Sequence, residues 1–522
     1  MDAASEKRKV TRAAGVVGLA TLASRVGGYL RDRVIAQFFG AGMESDAFFV
    51  AFRIPNLLRR LFAEGTLTIA FIPVFTEVLK LKGERQAFLL ARAAMSMLVL
   101  ALVAACGLGM FFAEDLVRAI AWGWNPSGQA FTLAVRLTRW CLPFLLVVSL
   151  LALAAGVLNS LGHFFAPAAA PLVLNLSIIA AALCLRGSLE PAVLSLAVGV
   201  VAGGVLQLIL QVPFLRAKGV PLRPAWRPHD PMLRKVLRLM GPAAFGAAVY
   251  QLTVFLDTVL ASYLPRGTVS YLWYADRLMQ FPLGIFAIAL STAILPSLSR
   301  QAADGDLEAL KDTMGYGVRL TWFIALPAMV GLVVLAEPLM TLLFKGGRFG
   351  LEASHQAALA LMGYGAGLWA VAGVRPVLQS FYALKDTKTP VLVAAGALLV
   401  KLGVSLWLMG PLRQMGLTLG TSAGAVFNLL VLMVLLRRRL GPLGGRRMAL
   451  SGLKALGLSL FMGGAAWLVA FGPDWGDRQG LAAWVLRPVA AMTAGMALYL
   501  LLARLARLPE LAEVLEVLRH RR

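Results

Sequence analysis

Charge is scarce in this sequence, and acid scarcer still. Asp, Glu, Lys and Arg together make up 15% of the chain, with only 26 acidic residues against 50 basic. With 59% hydrophobic residues and a mean hydropathy of +0.77, there is too little polar surface to clothe a soluble core. Cysteine is almost absent. Cys106, Cys141 and Cys184 lie singly inside apolar runs and form no CxxC, which excludes a disulfide framework or zinc site and reads as inert packing. The four histidines, His163, His229, His355 and His520, fall one at a time in loops or tails. No HExxH, paired-carboxylate constellation or GxxxxGK[ST] occurs, which argues against a metalloenzyme, a hydrolase or an ATPase. The basic excess sits mostly in short loops between apolar runs, so membrane topology accounts for it and nucleic acid does not.

What the chain has is long hydrophobic runs. They lie near 14–39, 46–75, 87–112, 130–159, 167–185, 191–215, 239–264, 269–298, 317–344, 354–384, 389–410, 415–436, 449–472 and 481–503. Each is long enough for about 30 Å of hydrocarbon, and together they predict an all-α polytopic membrane protein with fourteen transmembrane helices. KRKVTR before the first run resembles a signal peptide, but Arg25, Arg31 and Arg33 interrupt that run and no small-residue cleavage site follows. An uncleaved first helix is expected. Loops and tails on the N-terminal side carry roughly 28 basic residues against roughly 7 on the other, which places both termini in the cytoplasm.

Two stretches recur. AFRIPNLLRRLFAEGTLT (51–68) aligns with ADRLMQFPLGIFAIALST (275–292), and VLNS (157–160) with VLQS (377–380), each followed about ten residues later by Pro171 or Pro390. The spacing predicts a duplicated six-helix unit with both copies in one orientation, related by a pseudo-two-fold axis along the membrane normal. The expected organisation is an N-lobe over 1–220, a C-lobe over 221–440, and two additional helices with an amphipathic tail over 441–522. Two lobes across a central cleft is a transporter architecture. The tail, ARLARLPELAEVLEVLRHRR, is expected to rest on the membrane surface.

The remaining basic residues lie within the apolar runs, where a charge costs at least ~2.5–3.5 kcal/mol and usually faces a cavity. In SRVGGYLRDR, Arg25 and Asp32 share a helix face with Arg31 close by, and Gly27 and Gly28 let another backbone or a ligand approach. In the second run Arg53, Arg59, Arg60 and Glu64 surround Pro55; in the eighth, Asp276 and Arg277 precede Pro282 and Gly284. Interrupted helices beside charge point to a substrate site. Several arginines and few carboxylates suit an anion, and the guanidinium fork suits a phosphate or pyrophosphate. Competing readings are snorkelling of Arg31 and Arg33, structural pairing of Arg53 or Arg60 with Glu64 or Asp46, and a topological role for Arg92, Arg136 and Arg139. Asp257 and Lys401, both in apolar surroundings, either pair or handle an ion.

The runs SRVGGYLRD, FFGAGMESDAFFVAFRIPNLLRRLFAEGTLTIAFIPVF, GPAAFG, YADRLMQFPLGIFAIALSTAILPSLS and FYALKDTKTPV resemble the MurJ family of bacterial lipid II flippases, from about residue 15 to 505. The resemblance implies a fourteen-helix, two-lobed fold with a V-shaped cavity, in the bacterial cytoplasmic membrane. It implies transport, by alternating access, of the undecaprenyl-pyrophosphate-linked peptidoglycan precursor to the periplasmic leaflet. The family's cationic positions match Arg25, Arg31, Arg59 and Arg277; beside them, Asp32, Asp46, Arg53, Arg60, Glu64 and Asp276 are read from the sequence as supporting cavity charges. The family's acidic position matches Asp46. The last two helices are expected to accommodate the polyprenyl tail. A sodium site in some members fits Asp257, while Lys401 does not fit among cation ligands. No cofactor is implied; sodium, protons or the membrane potential are the candidate energy sources. Cell-wall synthesis proteins are the expected protein partners. Alternatives are a flippase for another polyprenyl-pyrophosphate-linked oligosaccharide and a membrane enzyme acting on polyprenyl phosphates.

Overall fold

The computed structural model describes residues 3–60, 68–472 and 485–513 of the chain. They form helices almost throughout, in two compact units, Met1–Val269 and Ser270–Arg522. The first unit contains α1 (Ala3–Phe39), α2 (Met43–Arg59), α3 (Thr68–Phe111), α4 (Ala113–Ile120), α5 (Gln129–Cys141), α6 (Pro143–Ser160), α7 (Phe165–Cys184), α8 (Leu194–Ala217) and α9 (Pro231–Ser262). After α10 (Thr268–Pro282) comes a π-helical turn, Leu283–Ala287. The rest of the second unit is α11 (Ile288–Ala303), α12 (Leu307–Val334), α13 (Ala336–Phe344), α14 (Leu351–Ala366), α15 (Leu368–Ala383), α16 (Lys388–Leu440), α17 (Gly445–Phe471) and α18 (Arg487–Leu505).

Among the described residues, nine continuous helical stretches are long and apolar enough to cross a membrane. Large apolar side chains point outward from them, including Leu399, Trp407, Phe461 and Leu468. A water-soluble surface would not tolerate that, whereas a lipid-facing one requires it. Cys106 and Cys141 are buried and Cys184 is exposed.

The helices break where local chemistry directs. Gly83, at φ 80°, interrupts α3 in a left-handed conformation that glycine reaches without a Cβ clash. Pro282 removes a helical donor, and the backbone passes through the π turn immediately after it. α16 would be about 80 Å long if straight, far more than a bilayer core. It reverses at Arg413, whose φ is 47°. Behind that reversal a stripe of small residues allows close approach: a Cβ on Gly420 would meet the Lys401 carbonyl at 2.8 Å, and one on Gly424 the Ala397 carbonyl at 2.8 Å. α7 and α8 approach similarly, through Gly199 and Gly203.

Element boundaries recur at a spacing of 223 residues. α1 ends at Phe39 and α9 at Ser262; α2 ends at Arg59 and α10 at Pro282; α4 begins at Ala113 and α13 at Ala336. α7 begins at Phe165 and α16 at Lys388, while α8 ends at Ala217 and α16 at Leu440. A side-chain detail recurs at the slightly shorter spacing of 220, where Ser160 Oγ donates to the Gly156 carbonyl and Ser380 Oγ to the Pro376 carbonyl.

Each unit has its own apolar interior. In the first, Phe71, Phe75 and Leu90 of α3 pack with Leu153 and Leu158 of α6 and Val236 of α9. In the second, Leu298, Leu310, Val318, Phe381, Leu429 and Leu436 form one cluster. The tail expected on the membrane surface is docked over its described part, which ends at residue 513. Leu508 and Leu511 are buried with Phe323, Val330 and Tyr499. Glu510, 1% exposed, accepts from Ser451 Oγ at 2.7 Å and lies 3.5 Å from Arg319 Nε. An amphipathic face needs an apolar cover, and here α12 and α17 supply it instead of lipid.

Candidate functional site

α1 carries the first charged group. Arg31 is buried, 6% exposed, and does not snorkel. Its Nε and Nη2 donate to Asp32 Oδ1 at 3.0 and 2.6 Å, and its Nη1 donates to Asn175 Oδ1 at 3.1 Å. Asn175 Nδ2 in turn donates to the Ser24 carbonyl at 3.0 Å. Ser24 and Arg31 are two turns apart on one face of α1, so a single amide on α7 spans both. Gly27 and Gly28 open the way: a Cβ on Gly27 would meet Leu172 Cδ1 at 2.8 Å, and one on Gly28 would lie 3.5 Å from Asn175 Nδ2. The approach those glycines predicted is therefore made by α7. Arg25 is exposed. Arg33 is also exposed and donates to the Tyr29 hydroxyl at 3.3 Å.

α2 carries the second group. Arg59 donates from Nε and Nη2 to Asn56 Oδ1 at 3.0 and 2.7 Å, one turn earlier. Arg53 Nη1 donates to Thr258 Oγ1 on α9, which itself donates to the Val254 carbonyl. Both of these acceptors are neutral groups that orient the guanidinium they hold. Arg60, half-buried, adjoins Arg59 at the end of α2. Glu64 lies outside the described residues. Asp46, nearly fully buried, accepts the Gly267 N–H on its Oδ2 and so fastens the turn after α9 to the start of α2.

In the second unit, Arg277 lies over the Trp273 ring, 5.3 Å from its centroid, a stacking geometry that suits a guanidinium. Asp276 accepts from Gln280. A small apolar cavity lined by Pro282, Leu283, Ala287, Thr321 and Leu368 lies against the π turn just beyond them. Asp257, half-buried, belongs to the first unit, and Lys401, buried, to the second. Asn175, Thr258 and Trp273 are the side chains that sequence reasoning passed over. None carries charge, and Asn175 is 144 residues from the arginine it holds.

A family profile described as "Lipid II flippase MurJ" matches residues 35–473. The lipid II flippase MurJ of Burkholderia cenocepacia is 38% identical over 486 residues, covering 92% of this chain and 93% of that protein. The probable lipid II flippase MurJ of Vibrio cholerae is 37% identical, over 81% of this chain and 82% of the other.

The chain belongs to the MurJ family.

A solved structure titled "Lipid II flippase MurJ, inward closed conformation" superposes with a TM-score of 0.77 at 24% identity, covering 94% of this chain and 98% of that one. An inward-facing multidrug-resistance MATE transporter of the MOP superfamily gives 0.68 at 16% identity, covering 80% and 95%. These two likenesses describe the MurJ fold. MurJ membership makes the chain a transporter and removes the membrane-enzyme alternative.

Proposed function

We propose that this MurJ protein moves lipid II from the cytoplasmic to the periplasmic leaflet of the bacterial cytoplasmic membrane. The observation that carries the reading is the 38% identity to a lipid II flippase over nearly the full length of both proteins. In this proposal the chain crosses fourteen times, as two six-helix lobes and two further helices, with both termini in the cytoplasm. The 223-residue recurrence supports the duplication, and the reversal at Arg413 supports counting α16 as two crossings.

Arg59, with Arg25 and Arg277, holds the pyrophosphate while the lobes alternate in access. Arg31 joins them where the ligand competes with Asp32 for its donors. Asp32, Arg53, Arg60, Glu64 and Asp276 tune the field around that site, and Asp46 holds the backbone beside it. The polyprenyl tail stays in lipid against α17 and α18. Moving about two negative charges out of an inside-negative cell at 100 mV is favoured by about 4–5 kcal/mol, so the membrane potential can drive the step. Asp257 and Lys401 are the candidates for a coupling ion or an ion pair. Depletion of the protein in cells tests the function: lipid II should accumulate in the inner leaflet. Accumulation of a different polyprenyl-linked precursor would overturn the assignment.

A further inference from the structure

The segment joining α8 to α9, KGVPLRPAWRPHD at 218–230, contains no helix, yet it is tied down. Arg92 of α3 donates from Nε to the Arg223 carbonyl at 2.6 Å and from Nη2 to the Pro224 carbonyl at 3.2 Å. The Ala225 N–H donates to Ser96 Oγ at 3.0 Å. Arg92, which on sequence alone reads as a topological charge, is therefore a fastener. Val220 is buried, Leu222 packs on the α3–α6 interior, and Pro221, Pro224 and Pro228 restrict the backbone further.

With three consecutive residues fixed, the next side chain points out. Trp226 is 65% exposed. Arg223 and Arg227 on either side of it are exposed, and so are Lys218 and Arg234. The segment's one acid, Asp230, is committed elsewhere: its carboxylate caps α9, accepting from the Met232 and Leu233 N–H groups. A strap that buries its aliphatic residues while presenting an indole among cations is shaped for a surface that is apolar below and anionic above. It begins directly after α8, a helix long and apolar enough to cross a membrane, and Leu237 and Leu239 in the early part of α9 are exposed as well.

We infer that residues 223–227 are an interfacial anchor that binds the headgroups of anionic glycerophospholipids. Trp226 lies at headgroup depth, where indoles concentrate, and Arg223 and Arg227 engage the lipid phosphates. A soluble acidic protein would meet the same cations, but it gives no reason for a fixed, outward indole at the end of a crossing helix.

The full chain in vesicles of phosphatidylcholine mixed with phosphatidylglycerol provides the test, with retained lipids counted by native mass spectrometry. Wild type should retain phosphatidylglycerol preferentially, and less so as salt is raised. The double variant Arg223→Gln/Arg227→Gln should weaken that preference by at least about fivefold, and Trp226→Ala by less. Unfolding temperatures in lipid-free detergent should stay at the wild-type value, since both changes are at exposed positions. Unchanged preference in both variants would overturn the anchor. So would an unchanged preference alongside loss of a crosslink from the strap to a soluble acidic protein. Flipping activity is not read, so failure here leaves the proposed transport function standing.

Discussion

α1 and α9 end 223 residues apart, at Phe39 and Ser262, but they carry different side chains. Where α1 has Arg25, Arg31 and Asp32, the matched positions of α9 are Ala248, Val254 and Phe255. The partner changes as well: Asn175, which holds Arg31, corresponds to Leu398. Arg59 ends α2, and Pro282 ends α10. The element boundaries are thus kept between the copies, while the charge on α1 has no counterpart on α9 and the second copy carries its own at Asp276 and Arg277 of α10. That is the expected outcome if glycine, proline and small-residue contacts set the crossings, and charged side chains are then placed differently on the two copies without altering them.

A second correspondence lies in the segment trailing each copy. Ser96 on α3 fastens the strap before α9, and its counterpart 223 residues on, Arg319 of α12, meets Glu510 beside α17. Within the first unit α9 packs on α3, and within the second α17 packs on α12. The same face of the duplicated helix anchors the trailing segment both times. The chemistry differs, with a neutral hydroxyl in one and a buried ion pair in the other.

The buried pair offers the strongest way to break this comparison. Glu510→Ala leaves Arg319 facing a buried site with its acid removed and should cost about 3–5 kcal/mol, read from thermal unfolding in detergent. Ser96→Ala should cost about 1 kcal/mol on the same scale, the value of one neutral hydrogen bond. Equal losses would show that the two anchors are not different in kind. Gly420→Val comes next: no room exists for its Cβ against the Lys401 carbonyl, so about 3 kcal/mol of destabilisation is expected in the same measurement.

Asn175→Ala should cost about 1–3 kcal/mol, because Arg31 and the Ser24 carbonyl both lose a buried partner. Asn175→Leu, which copies the second repeat, should be no better. Stability equal to wild type in either variant would mean that the amide does not hold α1 to α7.

The smallest effect is a pH dependence at the hairpin ends. His163 stacks on Phe214 at 4.4 Å, and burial, followed by the Lys218 charge, lowers its pKa from the ordinary 6.5. A lowered folded-state value means that the stabilisation is complete above pH 6.5 and is lost as pH falls through the folded pKa. The matched residue Asp386 accepts from the Thr389 N–H and hydroxyl and pairs with Arg439 at 2.9 Å; those contacts lower its pKa from 3.8. Its contribution persists until the pH falls below the ordinary carboxylate range. Between pH 7.5 and 5.5 the α6–α7 end should therefore loosen in hydrogen exchange while the α15–α16 end does not. His163→Phe should abolish that difference.

Much of the architecture was legible because lipid imposes long apolar runs, and Pro282 announced an interrupted helix, whereas α2 continues through Pro55 to Arg59. The close approach at Gly27 and Gly28 was legible too, but not its occupant. Asn175 is an uncharged amide in an apolar helix, and no local pattern ties it to an arginine 144 residues earlier. The described part of the tail was misplaced for a related reason. Its periodicity reveals an apolar face, and a bilayer or a neighbouring helix covers such a face equally well. The reversal at Arg413 was visible only as a gap between two apolar runs, since a non-glycine residue at positive φ carries no signature.

The central claim is that guanidinium groups supplied by α1, α2 and α10 hold the pyrophosphate of lipid II. Its most direct test is the flipping rate of purified protein in liposomes carrying lipid II, for wild type, Arg59→Ala and Arg277→Ala. Loss of charge-assisted bonds to a phosphate should slow each variant by about 10- to 100-fold while leaving the unfolding temperature near wild type. Wild-type rates in both variants would contradict the account.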